Sequence, residues 1–164
     1  MTADLWLPWA PLAAACLHII EEFLFPGGFP AWYRRWRGAD SQGVTPRFLV
    51  IINGLLLFGA VEVAFVARSG QQLWWWLGLM GILAGNGLWH LFAAVRSRSY
   101  SPGMITGLLL YVPLTIYGLI HYLASGRVSW PAALAAVAVG GTYQLWSKLY
   151  HRVRSRSTAQ PVRP

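Results

Sequence analysis

Five apolar runs, each long enough to cross a bilayer as a helix, constrain this chain more than any other feature: Leu5–Phe25, Arg47–Ala67, Leu73–Val95, Gly103–Ala124 and Ser129–Ser147. A hydrocarbon core about 30 Å thick needs roughly 20 helical residues to span it. Within that core the backbone polar groups must be paired internally, which leaves helices or closed barrels. The connectors are short, so 164 residues leave no room for a second, soluble domain. The expected fold is all-α, a polytopic membrane bundle of about five transmembrane helices over residues 1–152. A polar, basic tail over 153–164 is expected to be disordered. Charged residues make up 11% of the chain, against about 25% for a typical soluble domain.

The first run is read as a retained span, because a signal peptide begins with a basic segment and Met1–Leu5 contains neither Lys nor Arg. Cys16 is the only cysteine, so no internal disulfide forms. The net charge of +8 does not point to nucleic acid, because the basic residues flank the apolar runs. In short loops Lys and Arg mark the cytoplasmic side. Arg34, Arg35, Arg37 and Arg47, then Arg96 and Arg98, then Lys148, Arg152, Arg154, Arg156 and Arg163 fall on one side, and only Arg68 and Arg127 on the other. This bias predicts an external N-terminus and a cytoplasmic C-terminus. The ratio of 12 Arg to 1 Lys fits a GC-rich bacterial genome, and a bacterial plasma membrane is the expected location. In the first loop Trp32, Tyr33 and Trp36 alternate with arginines. The plainer reading is a short interfacial anchor helix, and the alternative is a lid over a site. Trp74, Trp75, Trp76 and Trp130 read as an aromatic belt at the opposite face.

The three glutamates, Glu21, Glu22 and Glu62, all fall inside predicted spans, as do His18, His90 and His121. A charged carboxyl at the bilayer centre costs about 2.5–3.5 kcal/mol, so this placement calls for a role. His18, Glu21 and Glu22 are spaced i, i+3 and i, i+4 and share one helix face, as do Asn86 and His90. At 1.5 Å rise per residue these groups, with Asn53, fall in one layer near the cytoplasmic side. Glu62 and His121 fall in a separate outer layer, where a structural Glu–His pair is expected.

His18-Ile19-Ile20-Glu21-Glu22, a later His90, and Tyr100-Ser101-Pro102-Gly103 together resemble the HXXEE family of small membrane proteins, which is defined by an HXXEE motif, a second histidine and a YXPG motif. The resemblance covers the first two-thirds of the chain and implies a site, not a reaction. Pro102 is suited to a helix start. Gly103–Gly107 and Gly81–Gly85 form small-xxx-small faces suited to close helix packing.

Two imidazoles and a carboxylate suit a divalent metal such as Zn, Fe or Mn. The expected ligands are His18, His90 and Glu22, with Glu21 in acid–base work and Tyr100 and Asn86 orienting. A dimetal centre needs more inner carboxylates than the chain supplies. The leading expectation is a metal-dependent membrane enzyme acting on a lipid or other hydrophobic small molecule near the cytoplasmic face. The alternatives are a non-enzymatic membrane subunit with a structural polar network, and a small transporter or proton relay. Expected partners are membrane lipids and no nucleic acid, with a homo-oligomer left open.

Overall fold

A computed structural model describes residues 5–25, 27–41 and 44–146. Among these residues the chain forms six helices and no strand: α1 (Ala10–Leu24), α2 (Phe29–Arg37), α3 (Pro46–Arg68), α4 (Leu73–Ser97), α5 (Met104–Ala124) and α6 (Trp130–Gly141). A 3-10 turn, Leu7–Trp9, leads into α1. The first span with this turn, and α3, α4 and α5, are long and apolar enough to cross a membrane. The large side chains they leave uncovered are apolar, including Phe58, Phe65, Leu109 and Ile120. Such a surface suits lipid and is untenable in water. The protein is an all-α membrane bundle.

Local chemistry sets the helix ends. Thr45 accepts from the Phe48 backbone N–H at 3.1 Å, and Pro46 follows it as the first helical residue of α3, the preferred order for a helix start. The expected fifth span is shorter than the others. Helix α6 has 12 residues and is interrupted by a turn at Thr142. Gly140 and Gly141 weaken the helix there, and the Thr142 hydroxyl donates back to Val139 O at 2.6 Å. The predicted tail over 153–164 and the basic residues from Lys148 onward lie outside the described residues.

Helix α4 is the centre of the bundle, packing on α1, α3, α5 and α6. Its contact with α6 is a backbone-to-backbone approach. A Cβ at Gly81 would meet the Val137 backbone, and one at Gly140 would meet Gly78 O and Ile82 N. The Gly81–Gly85 stripe thus faces α6, while the approach to α5 is made by Gly87 against Gly107. We expect Gly140→Val to lower stability by about 1–3 kcal/mol through overpacking. Gly54→Ala, at a position open to its surroundings, should be neutral or slightly stabilising. Thermal unfolding in detergent reads both.

Trp76 departs from the expected aromatic belt. It is fully buried, and its indole N–H donates to Leu7 O at 3.1 Å. Trp74 and Trp75 stay exposed and stack at 4.2 Å, and Trp130 is exposed. Of the outer layer, Glu62 is exposed on α3, and His121 stacks on Tyr117 at 5.8 Å on α5.

Candidate metal centre

The HXXEE segment lies on the last two turns of α1. His18, Glu21 and Glu22 turn inward and are buried, while Leu17, Ile20 and Leu24 point outward. The i, i+3, i+4 spacing therefore does what helix geometry requires, yet the two carboxyls go to different places. Glu21 reaches the start of α5. Its Oε1 accepts from the Tyr100 hydroxyl, from Gly103 N–H at 3.0 Å and from Ile105 N–H at 3.1 Å. Its Oε2 accepts from Thr106 N–H at 2.7 Å and from the Thr106 hydroxyl at 2.5 Å. A carboxylate has about four lone-pair sites, so Glu21 is saturated. It serves as an anionic cap supplied by α1 to the exposed N–H groups of α5. The structure places Glu21, the acid–base group expected from its spacing, as this cap, and Tyr100 as one of its donors. Burial, then the Glu21 carboxylate, holds the Tyr100 phenol above its ordinary range, so it remains a protonated donor.

Glu22 turns toward α4. Its Oε1 lies 3.9 Å from His90 Nε2, and its Oε2 accepts from the Asn53 amide at 3.4 Å. The rings of His18 and His90 meet edge to face at 5.2 Å. His18, Glu22 and His90 each offer a ligand atom, all within 4.8 Å of one another. Gly103 closes the site from the YXPG side. Its φ is +98°, and a Cβ would stand 2.8 Å from His18 Cε1 and 3.0 Å from His90 Cε1. Only glycine meets both demands.

The hydrogen bonds decide which imidazole nitrogens are available. Gln144 donates to Asn86 Oδ1 at 2.9 Å, which turns the Asn86 NH2 to His18 Nε2 at 3.0 Å. That nitrogen accepts, so the His18 proton sits on Nδ1, 3.0 Å from Thr106 Oγ1. Thr106 in turn donates to Glu21. A carboxylate–hydroxyl–imidazole chain thus fixes the tautomer, and the Nε2 lone pair is engaged by the Asn86 amide, a contact that a metal at this nitrogen would have to displace. His90 Nδ1 is held by Ser101 Oγ at 3.0 Å, which leaves its Nε2 toward Glu22. Metal-binding histidines are held in this way, with the outer nitrogen bonded to a second group. By residue type and spacing, His18, His90 and Glu22 fit a divalent cation, with one donor atom from each.

Several groups at the site carried no sequence signal of their own. Ser101 is the variable residue of YXPG, and Thr106 lies just beyond that motif. Tyr111 ends a π-helical turn, Gly107–Tyr111, and packs on the His18 ring at 4.7 Å. Its buried hydroxyl has no hydrogen-bond partner among the described residues. Single π turns recur at functional sites. Phe29 of α2 packs on His90 at 5.4 Å, and Trp32 Nε1 donates to Ser99 at 2.9 Å. Helix α2 thus lays its aromatic face over the centre and leaves Arg34, Arg35 and Arg37 exposed, which favours the lid over the plain anchor. Beneath it a cavity of about 360 Å³ is lined by the polar groups Glu22, Asn86, His90, Tyr143 and Gln144 and by apolar side chains of α3 and α4.

Comparison with known proteins agrees with the motifs. A family profile described as a protein of unknown function with HXXEE motif matches residues 9–118. The chain is also similar to the uncharacterized protein YrkK of Bacillus subtilis (strain 168). The two are 26% identical over 136 residues, covering 78% of this chain and 82% of that one. No solved structure matches.

Proposed function

We propose that this chain, which belongs to the HXXEE family, is a metal-dependent membrane enzyme acting on a lipid or other hydrophobic substrate near the cytoplasmic face. One observation carries the proposal: ligand atoms of His18, Glu22 and His90 lie within 4.8 Å of one another, and Glu22 and His90 also line a largely apolar cavity. A divalent metal held there supplies a Lewis acid and lowers the pKa of a bound water. His18 and His90 hold it through nitrogens whose partners across the ring, Thr106 and Ser101, keep the rings oriented. Glu22 offsets part of the cation's charge, and Asn53 steadies the carboxylate. Asn86 borders both His18 and the cavity and orients what binds there. Phe29 and Tyr33 of α2 line the same cavity. The loop charges support an external N-terminus, a cytoplasmic C-terminus and a bacterial plasma membrane.

A second reading has its own support. The Asn86 amide already satisfies His18 Nε2, as expected of a purely structural polar network. Metal analysis separates the two. Protein purified in detergent and dialysed against Zn, Fe or Mn should retain about one metal per chain, and Glu22→Gln should weaken retention without lowering thermal stability. No retained metal, with Glu22→Gln tolerated, would leave the structural network.

A further inference from the structure

The cavity above the centre has a shape and a polarity that narrow the substrate class. On α3 it is bordered by Ile52, Leu55 and Leu56, and on α4 it runs from His90 to Ile82. Eight residues of helix correspond to about 12 Å, so the slot follows the helix axes from the layer of His90 toward the middle of the bilayer. Its 360 Å³ has room for a hydrocarbon chain. Leu55, in the middle of α3, is 62% exposed and marks a mouth toward lipid. The other end is roofed by Phe29 and Tyr33, which stack at 5.3 Å, while Trp32 ties α2 to Ser99. A large head group has no exit there.

The lining contains no Lys or Arg to neutralise a phosphate, and Glu22 adds a carboxylate beside the polar end. An uncharged oxygen head meets only the polar groups it needs.

We propose that the cavity receives a single-chain lipid with a compact, uncharged oxygen head, a long-chain alcohol or aldehyde. Its head lies at Glu22, Asn86 and His90, and its chain runs between α3 and α4 toward the bilayer centre. This substrate class rests on the metal-centre reading for the chemistry at the head, whereas the seat of the chain is tested separately.

The test is photolabelling of the full chain in lipid nanodiscs with a diazirine-tagged dodecanol, followed by peptide mapping. Label is expected on the α3 and α4 segments around Ile52, Leu56 and Ile82, with dodecanol competing and dimyristoylphosphatidylcholine not competing. Ile52→Trp fills the slot, and Leu55→Trp narrows the exposed mouth without disturbing the core. Either is expected to reduce labelling by about tenfold while metal content stays at the parent level. Labelling elsewhere in the bundle, equal competition by the phospholipid, or undiminished labelling in a folded Leu55→Trp protein would overturn the proposal. Mapped labelling in a protein that holds no metal would keep the chain seat and remove the enzyme reading. Bound metal with unmapped labelling would do the reverse.

Discussion

Glu21→Ala is expected to be the most destabilising single substitution in the bundle, lowering stability by about 3–5 kcal/mol, the scale of breaking a buried charged network. The carboxylate is the common acceptor of three backbone N–H groups and two hydroxyls. Alanine leaves the N–H groups at the start of α5 without an acceptor in a setting with little water to replace it. It also frees Thr106, whose hydroxyl bridges Glu21 to His18, so the imidazole loses its orientation. Glu21→Gln should fall between the two, because one oxygen is kept while the new NH2 faces other donors. Thermal unfolding in detergent measures the loss. A Glu21→Ala protein as stable as its parent would mean that the cap is dispensable.

His18→Ala should abolish metal retention with a much smaller effect on unfolding. The imidazole supplies one of three protein donors, and its removal should lower metal affinity by more than about 100-fold, beyond the 10–100-fold typical of losing an outer-shell partner. Thr106→Val removes the outer partner and keeps the ligand, so it should weaken the metal within that lower range. The ordering is the informative result: parent, then Thr106→Val, then His18→Ala. Equilibrium dialysis against Zn with elemental analysis reads it. If Thr106→Val matched His18→Ala, the hydroxyl would be holding the helices together and not only the ring.

The site was legible in part. Helix phase and depth put His18 and Glu22 on one face and in one layer with His90, because spacing on a helix and rise per residue are local properties. The division of labour between Glu21 and Glu22 was not legible. Adjacent carboxyls on one turn differ by about 100° in direction, and what each one meets depends on which neighbour stands there. Glu21 meets the start of α5 and Glu22 meets His90. The arginines and aromatics of the first loop suggested an interfacial helix, but which face turns inward is set by contacts such as Phe29 with His90 and Trp32 with Ser99. Depth has the same limit for Glu62 and His121: equal depth in a bilayer does not by itself make two helices neighbours.

By itself the sequence determined that this protein lives in a membrane as helices, because apolar length and backbone pairing leave no other solution. It also determined which residues share a helix face and a depth, since both follow from the period and rise of one helix. Only the tertiary structure decided which faces meet: Gly87 on Gly107, Gly103 against both imidazoles, Glu21 as a cap and Glu22 beside His90. Those choices depend on close approach between backbones distant in the chain. That approach is governed by the combined shape of several helices, which no single segment encodes.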